Sequence, residues 1–296
     1  MRSGKIKFII NPIAGFRRDK RYIYNLIRRR CKGMNFKIEH TYAPGDATRV
    51  AQKAAAEGYT TVVAVGGDGT VNETASGLVG TDTALGIMPR GSGNGLARSL
   101  GIPLQPAEAL ELICTGKEHY IDAGRAAHRY FFVVTGVGFD AYVGHKFNTA
   151  MWRGPLPYFY IVAREFVNYH PEPLRLHLEQ EVMEMTPFLV TIANTLQYGN
   201  GAIIAPHAKP DDGILEVCVV RPMTFAELIL HAPKLFNGKA DTVPLITYFR
   251  SKKAAIEKCG PVLFHVDGEA QICESPIEIS VLPRALKVIV PPSYVS

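Results

Sequence analysis

The chain has 296 residues, 47% of them hydrophobic and 20% charged, which is enough for two domains and ordinary for a globular protein. Its net charge of +6 is modest, its five cysteines are scattered without CxxC spacing and its nine histidines form no HExxH pair, so a reducing cytoplasm is expected and a zinc site is not. No apolar run reaches the ~18–20 residues of a membrane span, and Met1-Arg2-Ser3-Gly4-Lys5 leads straight into a strand-like stretch too short for a signal sequence.

The first part of the chain alternates strand with helix. A strand is expected at 5–11, a helix at 19–31, a strand at 36–42, and a helix from Asp46, read as its N-cap, through 56. The first helix lies in a basic segment, where Arg17, Arg18, Lys20, Arg21, Arg28, Arg29, Arg30 and Lys32 are offset only by Asp19. Tyr22, Ile23, Leu26 and Ile27 fall at helical spacing within it, so the helix is amphipathic with a basic outer face. That face is either simply solvated or drawn to an anionic membrane surface, at ~1 kcal/mol per basic residue. No aromatic-basic recognition motif accompanies the cluster, so nucleic acid is not expected as a partner.

Next comes Val62-Val63-Ala64-Val65, an apolar β-branched run that reads as a fully buried strand. It ends in Gly66-Gly67-Asp68-Gly69-Thr70-Val71-Asn72, and a helix-like segment follows from 70 to 78. Three glycines in four residues let backbone N–H groups approach a ligand closely, and the next helix adds the positive end of its dipole. Such a turn suits polyphosphate. A carboxylate beside phosphate is repelled unless a cation intervenes, so Asp68 reads as a magnesium-side residue or one that orients the attacking group.

A strand at 84–88 and helices at 94–100 and 106–115 complete this part, and regular strand–helix alternation implies a parallel sheet covered on both faces. Four strands end in loops suited to a ligand: Asn11-Pro12-Ile13-Ala14-Gly15, Thr41 with Pro44-Gly45-Asp46, the Asp68 turn, and Pro89-Arg90-Gly91-Ser92-Gly93-Asn94-Gly95. After about residue 120 strands dominate, at 119–123, 129–135, 174–179, 187–194, 214–220, 247–256, 262–266 and 276–290, with helical stretches near 140–169 and 224–237. That pattern implies an antiparallel second domain, a β-sandwich. Gly136-Val137-Gly138-Phe139-Asp140-Ala141 mimics a dinucleotide fingerprint but lacks the acidic residue ~20 positions on, and no Walker motif is present.

Together these stretches resemble the diacylglycerol kinase catalytic-domain superfamily, which includes YegS/DgkB-like bacterial lipid kinases and the sphingosine and ceramide kinases. Asn11 to Gly15 resembles the family's NPxxG loop, Gly66 to Asn72 its GGDGTxN loop, and Pro89 to Ala97 its PxGSxNxxA loop. Ile121-Asp122-Ala123-Gly124 and Val137-Gly138-Phe139-Asp140-Ala141 resemble its interdomain segments. Ala205-Pro206-His207-Ala208-Lys209-Pro210-Asp211-Asp212-Gly213-Ile214-Leu215 is similar to its APxAxxDDGxL segment, and Asp267-Gly268-Glu269 to its DGE turn.

The resemblance implies an N-terminal α/β domain like that of NAD kinase and phosphofructokinase, about 1–120, and a β-rich lipid-substrate domain, 121–284, with the segment 285–296 returning to the first. It implies ATP in the cleft between the domains, its phosphates against Asn11, Pro12, Ile13, Ala14, Gly15, Thr41, Gly66 through Asn72, Gly91, Ser92 and Asn94. Asp68 and Asp122 would belong to a catalytic magnesium–water network, and Asp267 or Glu269, with Asp267 slightly favoured, would be the general base. A separate structural magnesium would be held by the Asp212 carboxylate and the carbonyls of Lys209 and Ile214. The lipid tail would lie among Phe147, Met151, Trp152, Tyr158, Phe159 and Phe166, unless these are plain core. The protein is then a cytoplasmic kinase, peripheral to an anionic membrane, that phosphorylates a lipid hydroxyl; a homodimer is compatible with it. One departure is Gly95, where many diacylglycerol-type members carry aspartate, and it leaves the acceptor lipid open. Two other readings remain: an NAD kinase-like enzyme with a soluble substrate, and an inactive nucleotide- or lipid-binding regulator.

Overall fold

The computed structural model describes residues 4–14, 20–149, 155–199 and 201–295. The chain forms two compact units, one of residues 1–123 with 283–296 and one of residues 124–282.

In the first unit β1 (Lys5–Ile10), β2 (Asn35–His40), β3 (Thr61–Gly66) and β4 (Ala84–Pro89) form a parallel sheet in the order β2-β1-β3-β4. The register aligns Ile9 with Ala64 and Ala64 with Ile87. Every residue of β3 and β4 is buried, which accounts for the unbroken apolar character of these strands. Helices α1 (Lys20–Arg30), α2 (Asp46–Ala56), α3 (Asp68–Leu78), α4 (Gly95–Ser99) and α5 (Pro106–Thr115) connect them. Helix α2 buries Ala47, Val50, Ala51 and Ala54 at helical spacing, and Gly77 lets α3 come close, because a Cβ there would lie 2.5 Å from the Thr48 carbonyl. Asp46 does not cap α2. It is the first helical residue, and its carboxylate instead accepts the amides of Tyr42 and Ala43 from the preceding turn. Strand β5 (Lys117–Ala126) leads out of this unit.

In the second unit β6 (Arg129–Phe131) and β7 (Val134–Gly138) replace the single strand expected at 129–135. The break falls where the amides of Phe132, Val133 and Val134 turn to a side chain far along the chain, the carboxylate of Asp267. Helices α6 (Phe139–Thr149) and α7 (Pro155–Asn168) follow, then β8 (Leu174–Leu178), β9 (Val182–Met185), β10 (Leu189–Ala193), β11 (Gln197–Gly199), β12 (Ala202–Ile203) and β13 (Leu215–Val220). Helix α8 (Phe225–Phe236) precedes β14 (Ile246–Ser251), β15 (Lys253–Glu257), β16 (Val262–Val266), β17 (Glu269–Cys273) and β18 (Ile277–Val290).

One antiparallel sheet runs β14-β13-β10-β7-β16-β17. The other layer is built from β9, β8, β15, the first half of β18, the end of β5, and β6. Their inner faces share one core, with Val190, Ile192, Val217 and Phe264 from the first sheet meeting Phe131, Leu176, Ile256 and Ile279 from the second. The stretch expected as one strand at 247–256 is two strands in different sheets, since β14 pairs with β13 while β15 pairs with β18 and β8. The chain crosses at Lys252, whose amide donates to Glu179. Gly136 and Gly138 are packing glycines: a Cβ at either would lie 2.6 Å from a carbonyl, of Val190 or of Phe188. The parallel α/β part and the antiparallel sandwich agree with the architecture read from the sequence.

Candidate active site

In the first unit the loops after β1, β3 and β4 are tied to one another by named bonds. Asn11 donates its amide to the Val65 carbonyl at 3.1 Å and its side-chain N–H to Thr70 Oγ1 at 3.2 Å, while its Oδ1 accepts from Ile13 at 3.0 Å. Gly66 is obligatory here, because a Cβ would sit 2.4 Å from Thr70 Oγ1. Gly67 precedes α3, and the first-turn amides of that helix have no partner within it.

Asp68 opens α3 and reaches across to the loop after β4. Its Oδ2 accepts the Asn94 amide at 2.9 Å and its Oδ1 the Gly95 amide at 2.7 Å. That loop is closed by Asn94, whose side chain accepts from the Gly91 amide and donates to the Gly91 carbonyl, and whose φ of 50° is left-handed. Glycines permit the approach: a Cβ on Gly93 would meet Asp68 Oδ2 at 2.8 Å, and one on Gly91 would meet the Gly67 Cα at 2.8 Å. Thr41 and Val71 are buried, Pro12, Ala14, Gly69 and Asn72 are half-buried, and Ile13 and Ser92 are exposed. Gly15 lies outside the described residues, as do Arg17, Arg18 and Asp19 of the basic segment; Arg28, Arg29 and Arg30 are exposed on α1. Asp122 is fully buried on β5 and accepts the Arg284 amide at 2.7 Å.

Both carboxylates of the Asp267-Gly268-Glu269 turn lie in the second unit, in different surroundings. Asp267, at a left-handed φ of 47°, accepts the amides of Phe132, Val133 and Val134 at 2.9–3.0 Å. It therefore pins the β6–β7 break. Glu269 is half-exposed, and Arg129 approaches it at 3.4 Å.

Beneath the turn is a group that the sequence reading did not bring together. His265, only 2% exposed, meets Asp140 Oδ2 through Nε2 at 3.0 Å, and its Nδ1 faces the Gly268 amide at 3.4 Å. Tyr198 donates to the same Asp140 oxygen, and Thr191 approaches it at 3.4 Å. The Gly268 donor assigns the imidazole proton to Nε2, toward Asp140. A histidine inside the apolar run Val262-Leu263-Phe264-His265-Val266 was the available signal.

The Asp212 carboxylate is engaged at both oxygens: its Oδ1 accepts the Ile214 amide at 3.0 Å and its Oδ2 pairs with Arg250. An ion held by this carboxylate and the carbonyls of Lys209 and Ile214 would share Asp212 with that guanidinium or displace it. Nearby Glu216 is buried, and burial pushes its carboxyl above the ordinary value.

Of the residues expected around a lipid tail, Met151 and Trp152 lie outside the described residues, as do the side chains of Phe147, Tyr158 and Phe159. Phe166 is core, packed with Phe139, Val143, Ile161 and Phe188. A separate cavity of about 230 Å³ in this unit is walled by Val137, Leu174, Ile256 and Val262, with Tyr142 and Lys258 among its polar groups.

Residues 5–126 match the family model of the diacylglycerol kinase catalytic domain, and residues 133–290 that of the YegS C-terminal NAD kinase beta sandwich-like domain. The chain is 31% identical to a diacylglycerol kinase of Mycobacterium tuberculosis over 299 residues, covering 97% of this chain and 96% of that one. It is 30% identical to a probable lipid kinase YegS-like of Chromohalobacter salexigens, covering 88% and 85%. A crystal structure of a putative diacylglycerol kinase from Bacillus anthracis superposes with a TM-score of 0.82 at 25% identity, over 99% of both chains. On these matches, spanning both units, the chain belongs to the diacylglycerol kinase catalytic-domain superfamily of lipid kinases.

Proposed function

We propose that the protein is an ATP- and magnesium-dependent kinase that transfers a phosphoryl group to a lipid hydroxyl, that of diacylglycerol or a related glycerolipid or sphingoid lipid. The observation that carries this reading is the Asp68 bridge, which joins two glycine loops at the strand ends through the amides of Asn94 and Gly95. Phosphoryl transfer asks a protein mainly for positioning and charge neutralisation. The amides of Gly67 to Thr70, and those of Ser92 and Gly93 in the loop after β4, are donors of the kind phosphates need, with Asn11 and Thr70 fixing the neighbouring backbone.

The Asp68 carboxylate keeps lone pairs beyond its two amide bonds, and oxygen ligands suit magnesium. Asp68 would hold that ion, which when bound neutralises phosphate charge, and Asp122 would belong to the same magnesium–water network.

The proton of the acceptor hydroxyl goes to Glu269. The preference for Asp267 yields to its surroundings, since three amides already occupy its oxygens. Asp267, with the Asp140–His265 pair behind Gly268, then acts by holding the turn.

The test is incubation of the purified protein with labelled ATP, magnesium and a panel of lipids, read by mass spectrometry, with Asp68→Asn as control. A phosphorylated lipid made by the wild type and lost in the variant is expected. Product from NAD but from no lipid would refute the reading.

A further inference from the structure

Helix α8 is well made, yet nothing on it is buried. Its start is a complete capping box: Thr224 Oγ1 accepts the Glu227 amide at 3.2 Å, and Glu227 accepts the Thr224 amide at 2.8 Å. Among the described residues the helix is anchored along one side, with Phe225 at the border between that side and the open one. Leu228 packs against the cluster of Phe139, Val143, Ile161, Phe166 and Phe188, and the Phe225 ring lies 5.6 Å from that of Phe166.

The other side is apolar and open. Phe225, Ile229, Leu230 and Phe236 are 45%, 61%, 67% and 51% exposed, and Ala226 and Pro233 are exposed between them. At about 100° per residue these six side chains fill one arc of about 140°, and no polar side chain interrupts it. Isolated exposed apolar residues need no explanation, but a continuous helical face of them marks an interaction surface.

The charges around this face choose the occupant. Arg221 lies just before the helix and Lys239 just after it, both exposed, and Lys234 lies beside the arc. The single acid of the helix, Glu227, is turned into its capping box, and Asp241 just beyond the helix faces His207 at 3.7 Å. A second copy pairing symmetrically through this face would bring cationic ends together. An anionic lipid surface meets both the apolar arc and the basic ends. Twelve residues at 1.5 Å each are too few to span a bilayer but suit a helix lying in its interface.

We infer that α8 is a membrane-docking helix, which inserts its Phe225–Ile229–Leu230–Phe236 face among the lipid chains of an anionic bilayer while Arg221 and Lys239 contact the headgroups. The choice of a lipid surface rests on the lipid-kinase reading above, but the inference does not involve α1 or any residue placed in the transfer chemistry.

The test is co-sedimentation of the full-length protein with phosphatidylcholine–phosphatidylglycerol vesicles, without ATP. Ile229→Ser combined with Leu230→Ser should lower partitioning by about tenfold or more, with an unchanged melting temperature because both residues are exposed. Arg221→Gln with Lys239→Gln should lower it on these vesicles and not on pure phosphatidylcholine. Unchanged partitioning of the apolar variant overturns the inference. So does a wild-type dimer that the same variant converts to monomer in sedimentation velocity, since a second copy would then occupy the face. Because no phosphorylated product is measured, failure here is separable from failure of the kinase reading.

Discussion

Asp267 and Glu269 are two residues apart, and their surroundings predict opposite responses to neutral, isosteric substitution. In Asp267→Asn the amide oxygen can keep the bonds from Val133 and Val134, but the new NH2 faces the Phe132 amide, donor against donor. One unsatisfied backbone N–H costs about 1–3 kcal/mol, and changing the acceptor of the other two bonds from charged to neutral costs about 1 kcal/mol each. The sum is about 3–5 kcal/mol. At about 2–4 °C per kcal/mol for a unit of this size, the melting temperature should fall by about 6–20 °C. Glu269→Gln weakens a half-exposed contact with Arg129, worth at most about 1 kcal/mol, so melting should barely change. Its turnover should fall by about 10²–10⁴, the loss typical of a positioned general base. Calorimetry and lipid phosphorylation with labelled ATP, run on both variants, separate the two roles. If Asp267→Asn melts like the wild type, or Glu269→Gln keeps more than about a tenth of the turnover, the assignment of roles is wrong.

Gly66→Ala places a methyl 2.4 Å from Thr70 Oγ1, breaks the Asn11–Thr70 bond and should destabilise by about 1–3 kcal/mol, a loss that equilibrium denaturation would detect or exclude. Glu216 has its folded pKa raised by burial, so its contribution to stability is fully present below its ordinary value of 4.5 and is lost as pH rises through the folded value. The melting temperature of Glu216→Gln relative to wild type should therefore climb as the pH rises above 4.5, and a flat difference would show that the burial is relieved. If magnesium displaces Arg250 from Asp212, added magnesium should raise the melting temperature of the wild type more than that of Asp212→Asn; equal responses would remove the ion from this loop.

The alternation of fully apolar strands with helices made the first part readable as a parallel sheet, because burial on both faces leaves β-branched runs such as 62–65 no other place. Glycine spacing marked the loops that Asp68 ties together, although not that its partners are the amides of residues 94 and 95. What the sequence hid depends on distant partners. The break at 132–133 is imposed by a carboxylate more than 130 positions away, and the switch of sheets at Lys252 falls in the polar run Arg250-Ser251-Lys252-Lys253, which reads equally well as the exposed middle of one strand. Local periodicity carries no trace of either. For the same reason Asp267 reads as chemistry in a DGE triplet, although its oxygens are taken by backbone. Asp46 similarly reads as a cap because its type and position suit one, yet it serves the turn before the helix.

The route of β18 bears on how the chain is made. The edge of β4 is met by Val288, Gly80 donates to the Ala285 carbonyl, and buried Asp122 receives the Arg284 amide. Residues 4–123 therefore leave the ribosome with an open sheet edge and without the Arg284 amide for Asp122, and both wait until the whole of 124–282 has been synthesised. At about 5–20 residues per second that delay lasts roughly ten to thirty seconds. The first-made half of the protein is thus the last to close, which makes the nascent chain dependent on protection of the β4 edge and makes truncation after 282 a lesion of the N-terminal sheet.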